Sequence, residues 1–573
     1  MSTSRRDLFK FAGGAVAGAL FTPAPWRLIT DTALWSENWP GVPRPARGEI
    51  HAKFTNCALC PAGCAVRARC VGPQPVALAG VRGGLCPFGI TAHHLPFHPA
   101  RLTHGPIEEA RAAVRQHAAE GIAVLDLNPG RTSSWTYRRA MASLKGAYLA
   151  PGVPTVAYRL SAARTVLSIG APLLDGWGTP ANVFAARPGF HLIQAEAAES
   201  RTAILADEWI PLAPGTERAF AQEILGALQG TRSNTVARQL PTDGSALVLG
   251  DAPEIPEINR LLGAYGKTIL ARPEAPVPDA WLKSAAPITA LASVPDHSLR
   301  VLLIDESAAT AFLPWDQIEP KLAPNPVVVT FAATRGGYAR HAAYALPIAV
   351  FPELKEDVPA AVDSIHPAYR ISVPLVAPPA GLASPVDFVG ALAGLPPANT
   401  LRERADAIHQ AGLGTVFTYA DSVEAPIQGL TTDAFFQALT SGGEWTNKAD
   451  QRTQPAAPVW SAASPAAPDS SADLPLIAIR EPRTSALLSP LMTKLYQESN
   501  LRLAPNRVAL SPADARNAGV VDGSRATLRT RAGSCAVEVT VDPDVPPGAL
   551  RVGGSPGIQD VCGPAARAKV VPA

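Results

Sequence analysis

Five of the seven cysteines in this 573-residue chain lie between positions 57 and 86, and this concentration constrains the fold more than any other feature. Cys57, Cys60 and Cys64 form a CxxCxxxC triplet, and Cys70 and Cys86 follow it. Three cysteines within one short loop could not pair as disulfides without strain. Seven cysteines are also too few for a disulfide scaffold in a chain of this length. The spacing therefore indicates a local set of ligands.

The fourth ligand of this set is either Cys86 or Cys70. Cys86 lies in a Gly- and Pro-rich turn, GGLCPFG at 83–89, whereas Cys70 lies in the strand-like segment 65–71. A cubane iron–sulfur cluster needs four thiolates that converge on one small site, and a tight triplet with one later cysteine meets that need. Structural zinc is the alternative, but zinc sites usually come as two CxxC pairs. We predict that four side chains hold one 4Fe–4S cluster: Cys57, Cys60, Cys64 and Cys86.

The N-terminus reads as an export signal. Arg5 and Arg6 precede the short, weakly apolar run 11–21, a pattern typical of twin-arginine signals. An ordinary basic N-terminus is the alternative. The apolar run is about half the length that a membrane-spanning helix needs. The pattern predicts a signal over 1–30 and a location in the periplasm or at the outer face of the cytoplasmic membrane.

The overall charge excludes some partners and suggests others. Lys and Arg number 50 against 48 acidic residues, so the charge gives no indication of nucleic acid binding. Only 17% of residues are charged, and the mean hydropathy is +0.09. Either an Ala- and Pro-rich composition or a surface covered by partner subunits accounts for these values.

The central part of the chain has the pattern of parallel strands ending in ligand-binding loops. Buried-strand patterns occur at 165–170 and 191–194, and again at 301–305 and 327–331. The segment 200–219 ends in PGTERA. Taken alone, PGTE is an ordinary helix start, with Thr216 capping a helix that begins at Glu217.

The C-terminal part has the pattern of a β domain. Small or polar residues alternate with β-branched ones at 525–530 and 536–541, which favours a barrel-like arrangement. The Pro-, Ala- and Ser-rich stretch 451–473 reads as a linker in front of it.

Together these segments resemble the molybdopterin oxidoreductase family. The resemblance lies in the GxxCxxG turn at 83–89, HPARL at 98–102, the segment 200–219, YALP at 344–347 with Glu353, and the PADA and GVVDG segments between 506 and 523. It implies an α/β fold with a small N-terminal iron–sulfur domain, doubly wound dinucleotide-binding-like domains and a C-terminal β-barrel. The domains expected are a signal at 1–30, an iron–sulfur domain at 48–105, α/β domains at 106–450, the linker at 451–473 and the barrel at 474–573.

The resemblance also implies a cofactor and its contacts. Members of the family bind a bis-molybdopterin guanine dinucleotide, and strand ends, glycine turns and helix N-termini suit its phosphates. The residues of this chain that match the family's binding segments are Gly170, Asp207, Pro214, Gly215, Thr216 and Glu217.

Three departures from the family pattern bear on this cofactor. Phe88 stands where members commonly have a lysine beside the cluster, and the chain is shorter than the usual catalytic subunit. The segment 128–160 lacks Cys, Asp and Glu, and Ser134, the serine considered there as a molybdenum ligand, reads equally as an ordinary helix N-cap. Shortened relatives with few molybdenum ligands are the large subunits of alternative complex III and menaquinone reductase complexes, and this chain is most similar to them.

We therefore expect an iron–sulfur electron-transfer subunit of a respiratory oxidoreductase complex, without molybdenum. Its expected partners are a ferredoxin-like multi-cluster iron–sulfur subunit and a quinone-binding membrane subunit, with membrane association through these partners. One alternative is a compact, active molybdopterin enzyme acting on a small oxyanion or sulfur compound. The other is a non-redox structural protein with zinc or an empty site.

Overall fold

The structure is a computed structural model that describes most of the chain. It covers residues 9–15, 18, 48–81, 83–98, 101–151, 155–307, 313, 315–395, 399–449, 473–480, 506–552, 558, 561–562 and 566–573. The paired arginines of the predicted signal and positions 451–472 of the predicted linker lie outside these ranges. Within them, no helix combines the length and the apolar composition needed to cross a membrane.

The N-terminal sheet is a three-stranded antiparallel meander. Its strands, in spatial order, are Ile50–Asn56, Ala65–Val71 and Gln74–Gly80. The short helix Pro87–Thr91 follows the third strand. Buried and exposed side chains alternate along Ala65–Val71, as expected for a sheet with one solvated face.

The first parallel sheet has six strands in the order of a doubly wound fold. In spatial order they are Ile288–Thr289, Ala147–Leu149, Ile122–Asp126, Leu299–Asp305, Leu322–Ala332 and Tyr344–Pro347. The two central strands are almost wholly buried because helices cover both faces. Strand order reverses between these two, which makes the space beyond their carboxyl ends the topological switch point. The helices before, between and after these strands are Ile107–His117, Thr132–Leu144, Asp279–Ser284, Trp315–Ile318 and Pro385–Leu392.

The second parallel sheet is inserted into the first one. Its strands, in spatial order, are Ala246–Gly250, Thr165–Ile169, His191–Glu196 and Glu208–Pro211. Its helices are Pro180–Ala186, Arg201–Leu205, Glu217–Leu228 and Ile255–Leu261. The chain enters through the strand Val156–Tyr158 and leaves through Ile269–Ala271, and these two strands pair antiparallel.

A five-stranded antiparallel sheet follows, which was not predicted within the α/β domains at 106–450. Its strands, in spatial order, are Glu356–Val358, Ala368–Ser372, Glu444–Thr446, Thr415–Thr418 and Val423–Pro426. The helices Thr400–Gln410 and Thr432–Thr440 pack against it. The sheet also contacts the N-terminal sheet, since Asn56 Nδ2 donates to the carbonyl of Ile371 at 3.0 Å and Thr55 Oγ1 to that of Val373 at 2.8 Å.

The C-terminal domain is a closed six-stranded barrel. In order around the barrel, its strands are Leu476–Arg480, Ala549–Val552, Arg507–Leu510, Gly533–Val541, Arg525–Thr530 and Arg567–Pro572, and the helix Pro512–Ala518 lies beside them. The predicted mixed α/β class and the predicted C-terminal barrel are both confirmed. The strands predicted at 165–170, 191–194, 301–305 and 327–331 are confirmed as well.

Candidate functional site

The cysteine triplet forms a closed loop at the end of the first strand. The amide of Cys57 donates to the carbonyl of Cys64 at 2.8 Å, and the amide of Gly63 donates to Cys60 at 3.3 Å. Gly63 has a φ of +56°, a left-handed conformation that glycine adopts without strain. Cys86 lies at the N-terminus of the helix Pro87–Thr91. All four predicted ligands are buried, with exposures between 3% and 7%.

Electrostatics shows that these four side chains are neighbours. Burial raises the pKa of the Cys64 thiol well above its usual value, and the nearby thiols of Cys60, Cys57 and Cys86 raise it further. For Cys70, burial raises the thiol pKa, and the charge of Lys53 acts in the opposite direction. All five cysteines pack in one core cluster, and within it Cys60, Cys57 and Cys86 lie close enough to Cys64 to act on its thiol, whereas Cys70 lies in the strand Ala65–Val71.

The donor chemistry of this group suits an iron–sulfur cluster, although binding remains a prediction. All seven cysteines are described, and none forms a disulfide. Across the described ranges, no group of three or more His, Cys, Asp or Glu is placed so that it could hold a metal ion. A cubane cluster is bulkier than a single ion, so its thiolates lie farther from one another than the ligands of one ion do. The observations in favour of a cluster are therefore the number, the burial and the thiol chemistry of the four side chains.

Side chains from distant segments of the chain donate hydrogen bonds to backbone carbonyl groups of the cysteine loop. Arg370 Nη1 donates to the carbonyl of Gly63 at 2.7 Å, and Thr179 Oγ1 donates to that of Ala62 at 3.0 Å. Gly84, in the turn before Cys86, packs against the start of a helix, and a Cβ at Gly84 would lie 2.3 Å from the amide nitrogen of Ala181. Neither Arg370 nor Thr179 lies in a segment that resembles a motif, so the sequence did not predict these contacts.

A buried charge cluster occupies the switch point of the first parallel sheet. Asp126 and Asp305 end the two central strands, and Arg131 Nη2 lies between them, 3.3 Å from Asp126 and 2.8 Å from Asp305. Arg131 is only 1% exposed. Burial lowers its pKa, but the carboxylates of Asp305 and Asp126 outweigh burial and hold that pKa well above the usual value. Tyr137 and Tyr148 each donate to one of the two carboxylates, at 2.7 and 2.8 Å.

The helix Thr132–Leu144 starts at this point, and an amide group at its N-terminus has a hydrogen-bond partner within the chain. The amide of Thr132 donates to Asp357 Oδ1 at 2.7 Å, and Asp357 pairs with Arg404 at 3.1 Å. In doubly wound domains, this helix N-terminus and the switch point are where the phosphates of a dinucleotide bind. Here carboxylates already fill those positions and would repel an anion. The residues at this switch point therefore do not fit a pyrophosphate.

Ser134 has a different role from the helix N-cap considered for it. The helix Thr132–Leu144 has Arg131 at its N-cap position. Ser134 lies inside the first turn, and its hydroxyl donates to Asp126 Oδ2 at 2.6 Å. The N-cap interpretation was therefore wrong, because the buried carboxylate competes successfully for the hydroxyl.

The second parallel sheet brings some of the predicted cofactor contacts together. Gly170, with a φ of +70°, follows the strand Thr165–Ile169, and a Cβ placed on it would lie 3.9 Å from Glu217 Cγ. Gly215 lies against the barrel, and a Cβ there would lie 2.7 Å from Ile477 Cδ1. Pro214 is half-buried just before it.

Thr216 precedes the helix Glu217–Leu228, as predicted, but its side chain does not cap that helix. Its hydroxyl donates instead to the carbonyl of Ala213 at 2.7 Å.

Asp207 lies apart from this group. It precedes the strand Glu208–Pro211, so it is at the amino edge of the sheet, whereas Gly170 is at the carboxyl edge. Its carboxylate accepts from the amide of Leu192 at 2.7 Å and pairs with Arg187 at 2.8 Å. These contacts make Asp207 part of the framework of the sheet.

A cavity of about 500 Å³ lies beside the switch point. Its lining includes Ser134, Tyr148, Asp357 and Arg404 from the buried network, together with Trp135. This volume is within the range of small-molecule pockets.

The fold combines α/β domains with a C-terminal barrel, and comparisons with known proteins show what it is similar to. Residues 491–560 match the molydopterin dinucleotide binding domain. The chain is similar to the menaquinone reductase molybdopterin-binding-like subunit of Nitratidesulfovibrio vulgaris, with 30% identity over 270 residues. That match covers 39% of this chain and 39% of the relative. The fold is similar to that of acetylene hydratase from Pelobacter acetylenicus, with a TM-score of 0.61 and 13% identity, covering 91% of this chain and all of that one.

The chain spans well under half of that relative's length in this match, and these similarities agree with the resemblance to the molybdopterin oxidoreductase family seen in the sequence.

Proposed function

We propose that this protein is an iron–sulfur electron-transfer subunit of a respiratory oxidoreductase complex that faces the periplasm and works without molybdenum. The observation that carries the proposal is the convergence of the four buried cysteines Cys57, Cys60, Cys64 and Cys86. A cluster held by four thiolates carries one electron at a time. The protein's own part is to keep the thiolates close, shield them from water and fix the loop that presents them.

The molybdenum-free part of the proposal rests on the switch point. Asp126, Arg131 and Asp305 fill the position where a doubly wound domain would receive the phosphates of a dinucleotide. Removing them from that position would break a buried ion-pair network, which costs about 3–5 kcal/mol. A cofactor bound there would have to offset that loss of stability. An anionic cofactor would also be repelled by the carboxylates of Asp126 and Asp305.

The expected partners and location follow from the relative and from the N-terminus. The similar protein from Nitratidesulfovibrio vulgaris is, by its name, one subunit of a menaquinone reductase. We infer that this chain also works within a complex, with a ferredoxin-like multi-cluster subunit and a quinone-binding membrane subunit. The twin-arginine pattern at Arg5 and Arg6 supports export of the folded chain and membrane association through these partners.

A compact, active molybdopterin enzyme is the second candidate function. Two observations favour it: the match of 491–560 to a dinucleotide-binding domain and the cavity of about 500 Å³ beside Trp135. On this alternative, Gly170 and Glu217 would contact the cofactor and the cavity would receive a small oxyanion or sulfur compound.

Metal analysis of the purified subunit, produced with its own signal in a native-type host, separates these functions. We expect iron in the amount of a single 4Fe–4S cluster, a reduced-state EPR signal from one centre, and no molybdenum, tungsten or extractable pterin. Stoichiometric molybdenum or tungsten would contradict the first proposal and support the second. A colourless protein that contains zinc would contradict both.

A further inference from the structure

We propose that Arg370 is a positioning residue that sets the reduction potential of the cluster, with Glu444 as its counter-charge. This inference rests on the proposed function, because it requires the cluster to be bound by the four cysteines. It assigns a role to two residues of the antiparallel sheet that lie far from every cysteine in the sequence.

Arg370 lies directly against the cysteine loop. It belongs to the strand Ala368–Ser372 and is 5% exposed. Its Nη1 donates to the carbonyl of Gly63, and a Cβ on Gly63 would lie 3.3 Å from the guanidinium carbon. Gly63 directly precedes the predicted ligand Cys64 in the chain. The guanidinium is therefore fixed beside one of the predicted ligands.

An apolar residue, not a cation, stands two positions after Cys86. Phe88, two residues after Cys86, is 8% exposed and packs in the same core cluster as the cysteines. An apolar ring at this position shields the site but contributes no charge. A cation held by the antiparallel sheet can therefore act on the cluster from the side of Cys64.

Glu444 moderates this charge. Its Oε1 lies 3.6 Å from Arg370 Nε, and its Oε2 accepts from the hydroxyl of Tyr419 at 2.8 Å. Both Arg370 and Glu444 line a small cavity of about 70 Å³ that also touches Ala65 and Gly84, next to two of the ligands. The cluster would thus have a cation close to it and a compensating anion beyond that cation.

The sign of each effect follows from charge. Reduction adds one negative charge to the cluster, and a nearby cation stabilises the reduced state more than the oxidised one. Loss of the Arg370 charge should therefore make the potential more negative. Loss of the Glu444 charge should make it more positive, because Arg370 is then no longer partly neutralised.

The test is an EPR-monitored redox titration of the purified full-length protein with Arg370→Gln, Glu444→Gln and Arg402→Gln. Arg402 pairs with Asp406 and Asp433 on the helical surface and controls for the loss of one positive charge. For Arg370→Gln we expect about a tenfold fall in the ratio of reduced to oxidised cluster at a fixed potential, equal to about 59 mV for a one-electron couple. Glu444→Gln should shift the potential in the opposite direction, and Arg402→Gln should leave it unchanged.

Iron content separates this inference from the proposed function. If the wild-type protein holds no cluster, the proposed function fails. If the cluster is present and both Arg370→Gln and Glu444→Gln leave its potential unchanged, the role of Arg370 is refuted. If Arg370→Gln prevents cluster loading, Glu444→Gln decides alone: a positive shift supports the inference and an unchanged potential overturns it.

Discussion

Cys86 and Cys70 differ in surroundings more than in burial. Cys70 is fully buried in the middle strand of the N-terminal sheet, whereas Cys86 lies in a turn at the start of a short helix. A strand side chain is fixed by its neighbours, but a turn can present a thiolate to a ligand. The electrostatic coupling of Cys64 to Cys86 agrees with this distinction.

Exchange of single cysteines tests the ligand set. We expect Cys86→Ser to abolish the absorbance and the EPR signal of the cluster, because a fourth thiolate is lost. Cys70→Ser should retain both, and it serves as the matched control because its side chain is equally buried. Iron content and EPR of both variants give the measurement. Loss of the cluster in Cys70→Ser, with the cluster kept in Cys86→Ser, would reverse the assignment.

The side chain of Glu356 predicts a pH dependence of stability. Burial, and next the adjacent carboxylate of Asp357, raise the pKa of Glu356 well above its usual value. In the unfolded chain the same group ionises near pH 4.3. Folding therefore favours the protonated form, and this contribution to stability is full below the unfolded pKa and is lost as the pH rises through the folded one.

We expect Glu356→Gln to raise the midpoint of thermal unfolding relative to wild type by an amount that grows from pH 5 to pH 8. The amide cannot ionise, so it avoids the loss that affects the carboxyl group. The same substitution at exposed Glu108 is the control and should show no such trend. A constant difference across this pH range would refute the raised pKa of Glu356.

Residues were predictable where chemistry follows from a local pattern. Spacing and turn composition predicted that Cys57, Cys60, Cys64 and Cys86 act together, and all four are buried in one core cluster. Arg370 and Thr179 could not be predicted in this way, since each reaches the loop only after the chain has folded. The placement of Asp207 was hidden for a related reason, because the sequence shows that it is close to a strand but not which edge of the sheet it occupies.

Among the elements, the buried strands were the easiest to predict. The predicted strands at 165–170 and 301–305 correspond to Thr165–Ile169 and Leu299–Asp305, which are almost wholly buried and rich in apolar residues, as expected for strands of parallel sheets. The antiparallel sheet was missed because its strands are short and come from separated segments, so none has a distinct period. Its contacts with the N-terminal sheet at Asn56 are of long range and leave no local signal.

The ion-pair network at the switch point gives a prediction for the element that it anchors. Arg131→Met leaves Asp126 and Asp305 buried without their cation, and we expect a loss of about 3–5 kcal/mol in the free energy of unfolding. Urea unfolding followed by circular dichroism measures this loss. Arg260→Met, which breaks a half-exposed pair with Glu257, is the control and should change little. Equal losses in the two variants would contradict a structural role for the network.

At the scale of the whole molecule, two segments that resemble family motifs contact each other. Arg101, from HPARL, forms a two-pronged ion pair with Glu353, which follows YALP. Both side chains are at most 3% exposed. The pair connects the region after the cysteine loop with the segment beyond the first parallel sheet. These sequence features thus have a structural role in addition to marking the family.

This pair predicts non-additive effects on stability. Arg101→Met or Glu353→Leu alone leaves one buried charge uncompensated and should lower the free energy of unfolding by about 3–5 kcal/mol. The double substitution should recover much of that loss, because no charge then remains buried. Chemical unfolding of the three variants measures the coupling. Additive losses would show that the two side chains act independently.

The inserted sheet has a consequence for how the chain can be divided. The strands Val156–Tyr158 and Ile269–Ala271 pair so that Val156 faces Ala271, and the segment between them leaves and returns at one place. Cutting out this segment would remove no strand from the first parallel sheet. The segment is thus an insertion that a single recombination event could add or delete. After its deletion, a short linker between the two neighbouring chain ends would reconnect the rest of the protein.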